Sequence, residues 1–142
     1  MTTNNFADVG AFHEKFGLPN TQALGAGPIN YVNLEGMLEF RKNFLQEEFD
    51  EFVEGLEEQD MGKMADALID LVYIAMGTAQ MLGLPWDELW DDVQAANMRK
   101  VRAAPDGSNS KRSSSLDVVK PAGWVGPDTN GILKAHGFEV IE

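Results

Sequence analysis

Cysteine is absent from this chain, and only two of its 142 residues are histidine. The first absence excludes disulfides, thiolate zinc sites and cysteine nucleophiles, and the second leaves little for a histidine-based metal centre. A resident metal would therefore be hard and oxygen-ligated, such as Mg²⁺ or Mn²⁺. Positive charge is scarce as well. Eleven Lys and Arg stand against 23 Asp and Glu, a net charge of −12, which argues against nucleic acid or an anionic membrane as a partner. No stretch reads as a signal peptide or as long enough to span a bilayer, so the expected location is the cytoplasm.

What is present is an uneven distribution of acid. Residues 35–92 carry 16 acidic and 3 basic side chains, whereas 93–142 carry 5 acidic and 7 basic. An acidic middle that loads metal and a basic tail that meets phosphate would suit a nucleotide enzyme. A solvated acidic surface with a mildly basic tail fits the charge count equally.

Periodicity predicts an all-α fold: a four-helix, bundle-like core over about 5–100 with a mostly irregular extension over 101–142, together one domain. Asn5 is a candidate cap for a first helix reaching about Phe16, which Gly17-Leu18-Pro19 stops. Residues 20–32 read as a loop. Asn33 can cap a second helix from Leu34 to about Glu58, with an apolar stripe through Met37, Leu38, Leu45, Phe52 and Leu56. Asp60 can cap a third helix ending at Gly83, and Pro85 opens a fourth running to about Lys100. Trp86 and Trp90 are expected to pack on the bundle. The tail beyond Ser115 is open between a short helix near Ile132 and ordered coil.

Asp66 and Asp70 are the only charged residues between Met64 and Trp86. They lie one turn apart on an otherwise apolar helix, where an ionised carboxylate is costly without a cation or hydrogen bonds. On the second helix, Glu48 and Glu51 fall inside the apolar arc, Glu47 at its edge, and Glu39, Asp50, Glu54 and Glu57 on the far side. Convergence of these acids on divalent metal is the reading that joins the two helices. Pairing of Asp66 and Asp70 with Lys63 and Arg41 is the structural alternative.

Glu47-Glu48-Phe-Asp-Glu51 resembles the E-E-x-x-E element of the MazG-like all-α nucleoside triphosphate pyrophosphohydrolases. Asp66-Ala-Leu-Ile-Asp70, after fourteen intervening residues, stands where that family has its second acidic element, E-x-x-D. Val9-x-x-Phe12-His13-x-Lys15-Phe16-Gly17 and Asn97-Met98-x-Lys100 resemble short phage-type members, for which the location would be the host cytoplasm. The second element departs from the pattern: Ala67 and Lys63 precede the aspartates by three, so neither frame gives a strict E-x-x-D.

The resemblance implies hydrolysis of a nucleoside triphosphate to monophosphate and pyrophosphate. A purine such as dGTP or GTP is favoured, with phosphoribosyl-ATP or dUTP as alternatives in the same superfamily. It implies two or three Mg²⁺ or Mn²⁺ ions on Glu48, Glu51, Asp66 and Asp70, with Glu47 orienting or deprotonating water. Asn97, Lys100, Arg99 and His13 would contact substrate. A homodimer or homotetramer is expected, because the third helix has more apolar surface than a small bundle covers. A non-catalytic acidic interaction module is the rival from another class. Lys111-Arg112, beside three serines, reads as a solvated loop in preference to a phosphate clamp.

Overall fold

A computed structural model describes residues 4–18 and 31–141, with backbone alone at 31–35. The chain divides into two compact units, Met1–Leu84 and Pro85–Glu142. The first contains α1 (Asn5–Lys15), α2 (Tyr31–Glu58) and α3 (Met61–Leu82). The second contains α4 (Trp86–Met98), β1 (Val101–Arg102), β2 (Val118–Val119) and α5 (Thr129–Ala135). The class is all-α, as the periodicity predicts, with one two-residue ladder added.

Asn4 caps α1, one residue before the expected position, its Oδ1 accepting from the Ala7 N–H at 3.1 Å. Helix formation stops at Lys15, and Gly17 at φ 62° reverses the chain. The expected loop at 20–32 lies largely outside the described residues. Tyr31 is already helical, so α2 begins three residues before Leu34 and Asn33 sits inside it. The α2–α3 hairpin closes as expected: Asp60 Oδ1 accepts from the Lys63 N–H at 3.0 Å, and the Asp60 N–H donates to the Gly55 carbonyl at 2.8 Å. Gly83, at φ 65°, supplies the left-handed cap that ends α3.

The core of the first unit is built around α3. Ala67, Ile74, Met76, Ala79 and Met81 are buried, as is Val9 of α1. Full burial of a side chain of Ile or Met size is worth roughly 1.5–3 kcal/mol. Gln80 ties α1 to α3 by donating from Nε2 to the Phe6 carbonyl at 3.0 Å. From α2, Met37, Leu38, Leu45 and Phe52 are half-buried, but Leu56, expected in the same stripe, is exposed. By length and composition alone α3 matches a membrane span, its 22 residues holding an 18-residue stretch of mean hydropathy 1.3, contrary to the expectation that no segment is long enough. Both α1 and α2 pack against it.

In the second unit α4 ends at Met98, two residues short of Lys100. Trp86 and Trp90 stack on each other, centroids 6.2 Å apart, and Trp90 is exposed. The antiparallel ladder pairs Val101 with Val119 and Arg102 with Val118. Asp128 Oδ1 accepts from the Gly131 N–H and caps α5, which settles the region around Ile132 as helix. Trp124 anchors the intervening segment by donating from Nε1 to the Ala96 carbonyl at 2.8 Å.

Candidate active site

Arg41, Phe44 and Glu48 follow one another at i, i+3 and i+7, so α2 presents them on one face. From α3, Asp70, Tyr73 and Ile74 meet that face, and α1 adds Phe12 and His13. Together they enclose a cavity of about 280 Å³ within the first unit.

Glu48 is buried, 7 % exposed, and among the described residues its Oε2 has no hydrogen-bond partner. Burial pushes its carboxyl above the usual range. The charges of Glu51 and Asp70, a hydrogen bond shared with Glu51 and the charge of Glu47 push it the same way. Glu47, Glu48, Glu51 and Asp70 thus form one electrostatic group. Glu51 and Asp70 are half-buried and Glu47 is exposed. Glu39, Asp50, Glu54 and Glu57 are exposed on the opposite side, the division that the helical wheel predicts.

Asp66 stands differently. It is exposed and is not among the charges acting on Glu48. Nor does Lys63 neutralise the aspartates of α3. Its ammonium pairs with Glu54 at 2.7 Å and Glu58 at 3.4 Å, back across the hairpin turn. Among the described residues, no three carboxylate or imidazole groups are gathered closely enough to hold a metal ion as they stand.

Arg41 is the functional candidate that sequence reasoning weighed only as a salt-bridge partner. It is buried; its Nη2 donates to the Ile74 carbonyl at 2.9 Å and its Nε to Thr78 Oγ1 at 3.0 Å. Among the described residues no carboxylate lies within ion-pairing distance of it. Burial lowers its pKa, as expected for a cation without a counter-charge. Its phase with Glu48 on α2 was the available signal.

His13, expected near substrate, lines the same cavity. It is buried, and among the described residues its Nδ1 has no hydrogen-bond partner. Burial first, then the charge of Arg41, pushes its pKa down, so the ring is neutral at neutral pH. Phe12 sets its edge against Tyr73 at 5.5 Å, giving the cavity an aromatic wall. Phe16, by contrast, is exposed beneath the Lys15 ammonium.

The other three expected substrate contacts belong to the second unit. Asn97 is exposed near the end of α4. Arg99 donates from Nη2 to the Val125 carbonyl at 3.1 Å, and the Lys100 ammonium lies 5.4 Å from the centre of the Trp124 ring.

A buried carboxylate held among other acids, next to a buried unpaired arginine and an aromatic wall, is suited to a cation and a phosphorylated, ring-bearing ligand together. No curated protein matches the sequence. The profile of one family, phosphoribosyl-ATP pyrophosphohydrolase, matches residues 9–97, which takes in the greater part of α1, all of α2 and α3 and nearly all of α4. The chain therefore belongs to the phosphoribosyl-ATP pyrophosphohydrolase family, an all-α pyrophosphohydrolase family of the MazG-like superfamily.

Proposed function

We propose that this protein hydrolyses the α–β phosphoanhydride of a purine nucleoside triphosphate, such as dGTP or GTP, to the monophosphate and pyrophosphate in a reaction dependent on Mg²⁺ or Mn²⁺. The observation that carries this reading is Glu48: a buried carboxylate with an orphaned oxygen, destabilised as an anion by Glu51, Asp70 and Glu47. A hard cation relieves each of those costs at once, so the donor set fits one. Glu48, Glu51 and Asp70 would hold it, with Asp66 reaching from one turn away on α3. Rotation of side chains must complete the set, because the acids are not gathered at coordinating distance.

Bound there, the cation supplies charge neutralisation on the phosphates and acidification of water. Glu47, solvent-facing at the edge of the group, takes the proton of the attacking water on its carboxylate. Arg41 lends the cavity a buried, fixed positive charge, from which an anionic phosphoryl oxygen gains more than it would in water. Neutral His13 offers its unpartnered Nδ1 to the edge of the base, which the Phe12–Tyr73 wall flanks. Asn97, Arg99 and Lys100 are retained as phosphate contacts.

The family match favours a second substrate reading, phosphoribosyl-ATP, which carries the same phosphoanhydride. Pyrophosphate release from dGTP, GTP, ATP, dUTP and phosphoribosyl-ATP, with and without Mg²⁺ or Mn²⁺, separates the two. Release from none of them would leave an acidic interaction module as the better account. A homodimer or homotetramer belongs to the proposal, because Leu68, Ile69 and Val72 of α3 are exposed as an apolar patch. Light scattering in solution tests it.

A further inference from the structure

We propose that the second unit carries a binding pocket for a di- or triphosphate group, built by Lys100, Lys111, Arg112 and Lys120. These four cations line one cavity of about 390 Å³, with Asp117 its only acid. Lys111, Arg112 and Lys120 lie beyond the residues that match the family profile.

In a chain of net charge −12, such a concentration of positive charge is not a by-product of composition. Asp117 is already committed. Both its oxygens accept from Arg112 Nη1 at 3.0 Å, Oδ2 from Ser110 Oγ at 2.7 Å and Oδ1 from the Val118 N–H at 2.9 Å. The Ser110 hydrogen bond leads in holding this carboxyl below the usual range, so it stays ionised and offsets Arg112. Three lysines remain. Among the described residues, none has a carboxylate within ion-pairing distance.

Their convergence is enforced by structure. The register Val101 to Val119 sets Lys100 and Lys120, the next residue outward on each strand, side by side. Both ammonium groups lie against the Trp124 ring, 5.4 and 4.8 Å from its centre, and the indole is fixed by its bond to the Ala96 carbonyl. The loop bearing Lys111 is held by its own hydrogen bonds. Asn109 Oδ1 accepts from the Ala104 N–H at 2.7 Å, and Ser110 Oγ accepts from the Arg112 N–H at 3.0 Å. Like charges assembled on a fixed frame repel one another, and an anion seated between them removes that cost. The volume suits a phosphate chain of two or three groups, and the chain's overall negative charge opposes a long polyanion. The group would belong either to the nucleotide being hydrolysed, which rests on the reading above, or to a separate nucleotide.

The test is calorimetric titration of the full-length protein with inorganic pyrophosphate and triphosphate, without divalent metal. Wild type should bind triphosphate, more weakly as salt rises. The Lys111→Ala/Lys120→Ala double variant should lose about tenfold or more in affinity. Lys111→Arg/Lys120→Arg should retain binding. Absence of binding in wild type, or undiminished binding in the alanine variant, overturns the pocket. A KM for nucleotide that rises in parallel identifies the anion as substrate, whereas an unchanged KM identifies a second nucleotide. Failure of all nucleotides to turn over would sink the proposed activity while leaving the titration readable.

Discussion

Gly77 lies directly against His13: a Cβ built on the glycine would stand 2.6 Å from His13 Nε2, and equally close to Nη2 of Arg41. These two polar side chains, both lining the cavity, therefore pack against α3 here only because position 77 has no side chain. Alanine in mid-helix normally stabilises relative to glycine by about 0.5–1 kcal/mol. Here it must displace a buried ring and break the Arg41 bond to Ile74. Gly77→Ala should instead lose about 1–3 kcal/mol in urea denaturation, the usual range for overpacking, and raise KM for the nucleotide. A gain in stability with unchanged KM would show that neither side chain is held as described.

Glu48 makes a second expectation sharp. Its folded-state pKa is raised above the ordinary 4.5, so the folded chain binds more protons than the unfolded one between those two values. Stability of the metal-free protein should then fall as pH rises upward from 4.5. Glu48→Gln removes the titrating group and should flatten that part of the profile while abolishing turnover. Added Mn²⁺ should stabilise wild type at neutral pH and leave the variant unmoved. Identical pH profiles for the two proteins would mean that Glu48 is not the buried acid it is taken to be.

The helices and the facing of the acids were legible because both depend on local rules. The Asp60 cap, the left-handed Gly83 and the burial of Glu48 against the exposure of Glu54 follow from chemistry within one or two turns. What escaped depends on contacts distant in sequence. Arg41 is held in the cavity wall by Ile74 and Thr78, more than thirty residues away. The exposure of Asp66 depends on how α2 lies across α3, which one-turn spacing from Asp70 does not encode. Ladder pairing between 101–102 and 118–119 spans a loop rich in Gly and Ser, where periodicity is silent.

Asp66 and Asp70 should separate under mutation. Asp70 lines the cavity and acts on Glu48, whereas Asp66 is exposed one turn earlier. Asp70→Asn should cost about 100-fold or more in kcat/KM, in the range of losing an electrostatic group at the reacting centre. Asp66→Asn should cost no more than about tenfold and shift the Mn²⁺ concentration needed for half-maximal rate. Equal losses would place both aspartates on the metal and require α3 to present Asp66 inward when the ion is bound.

His13 supplies the pH limit on the acid side. Burial and the Arg41 charge lower its pKa below 6.5, so the unfolded chain binds the extra proton first as pH falls. Its contribution to stability is complete above 6.5 and is lost on acidification through the lowered value, opposite in sign to that of Glu48. Replacing it with Gln, which keeps a polar group in the cavity but does not titrate, should abolish that acid-side loss. KM should rise in the same variant if Nδ1 meets the base, with kcat little changed, because the contact serves binding more than the reacting phosphorus. Steady-state kinetics and thermal melts across that pH range measure both. A variant that melts like wild type on acidification would place the imidazole in water, not against α3.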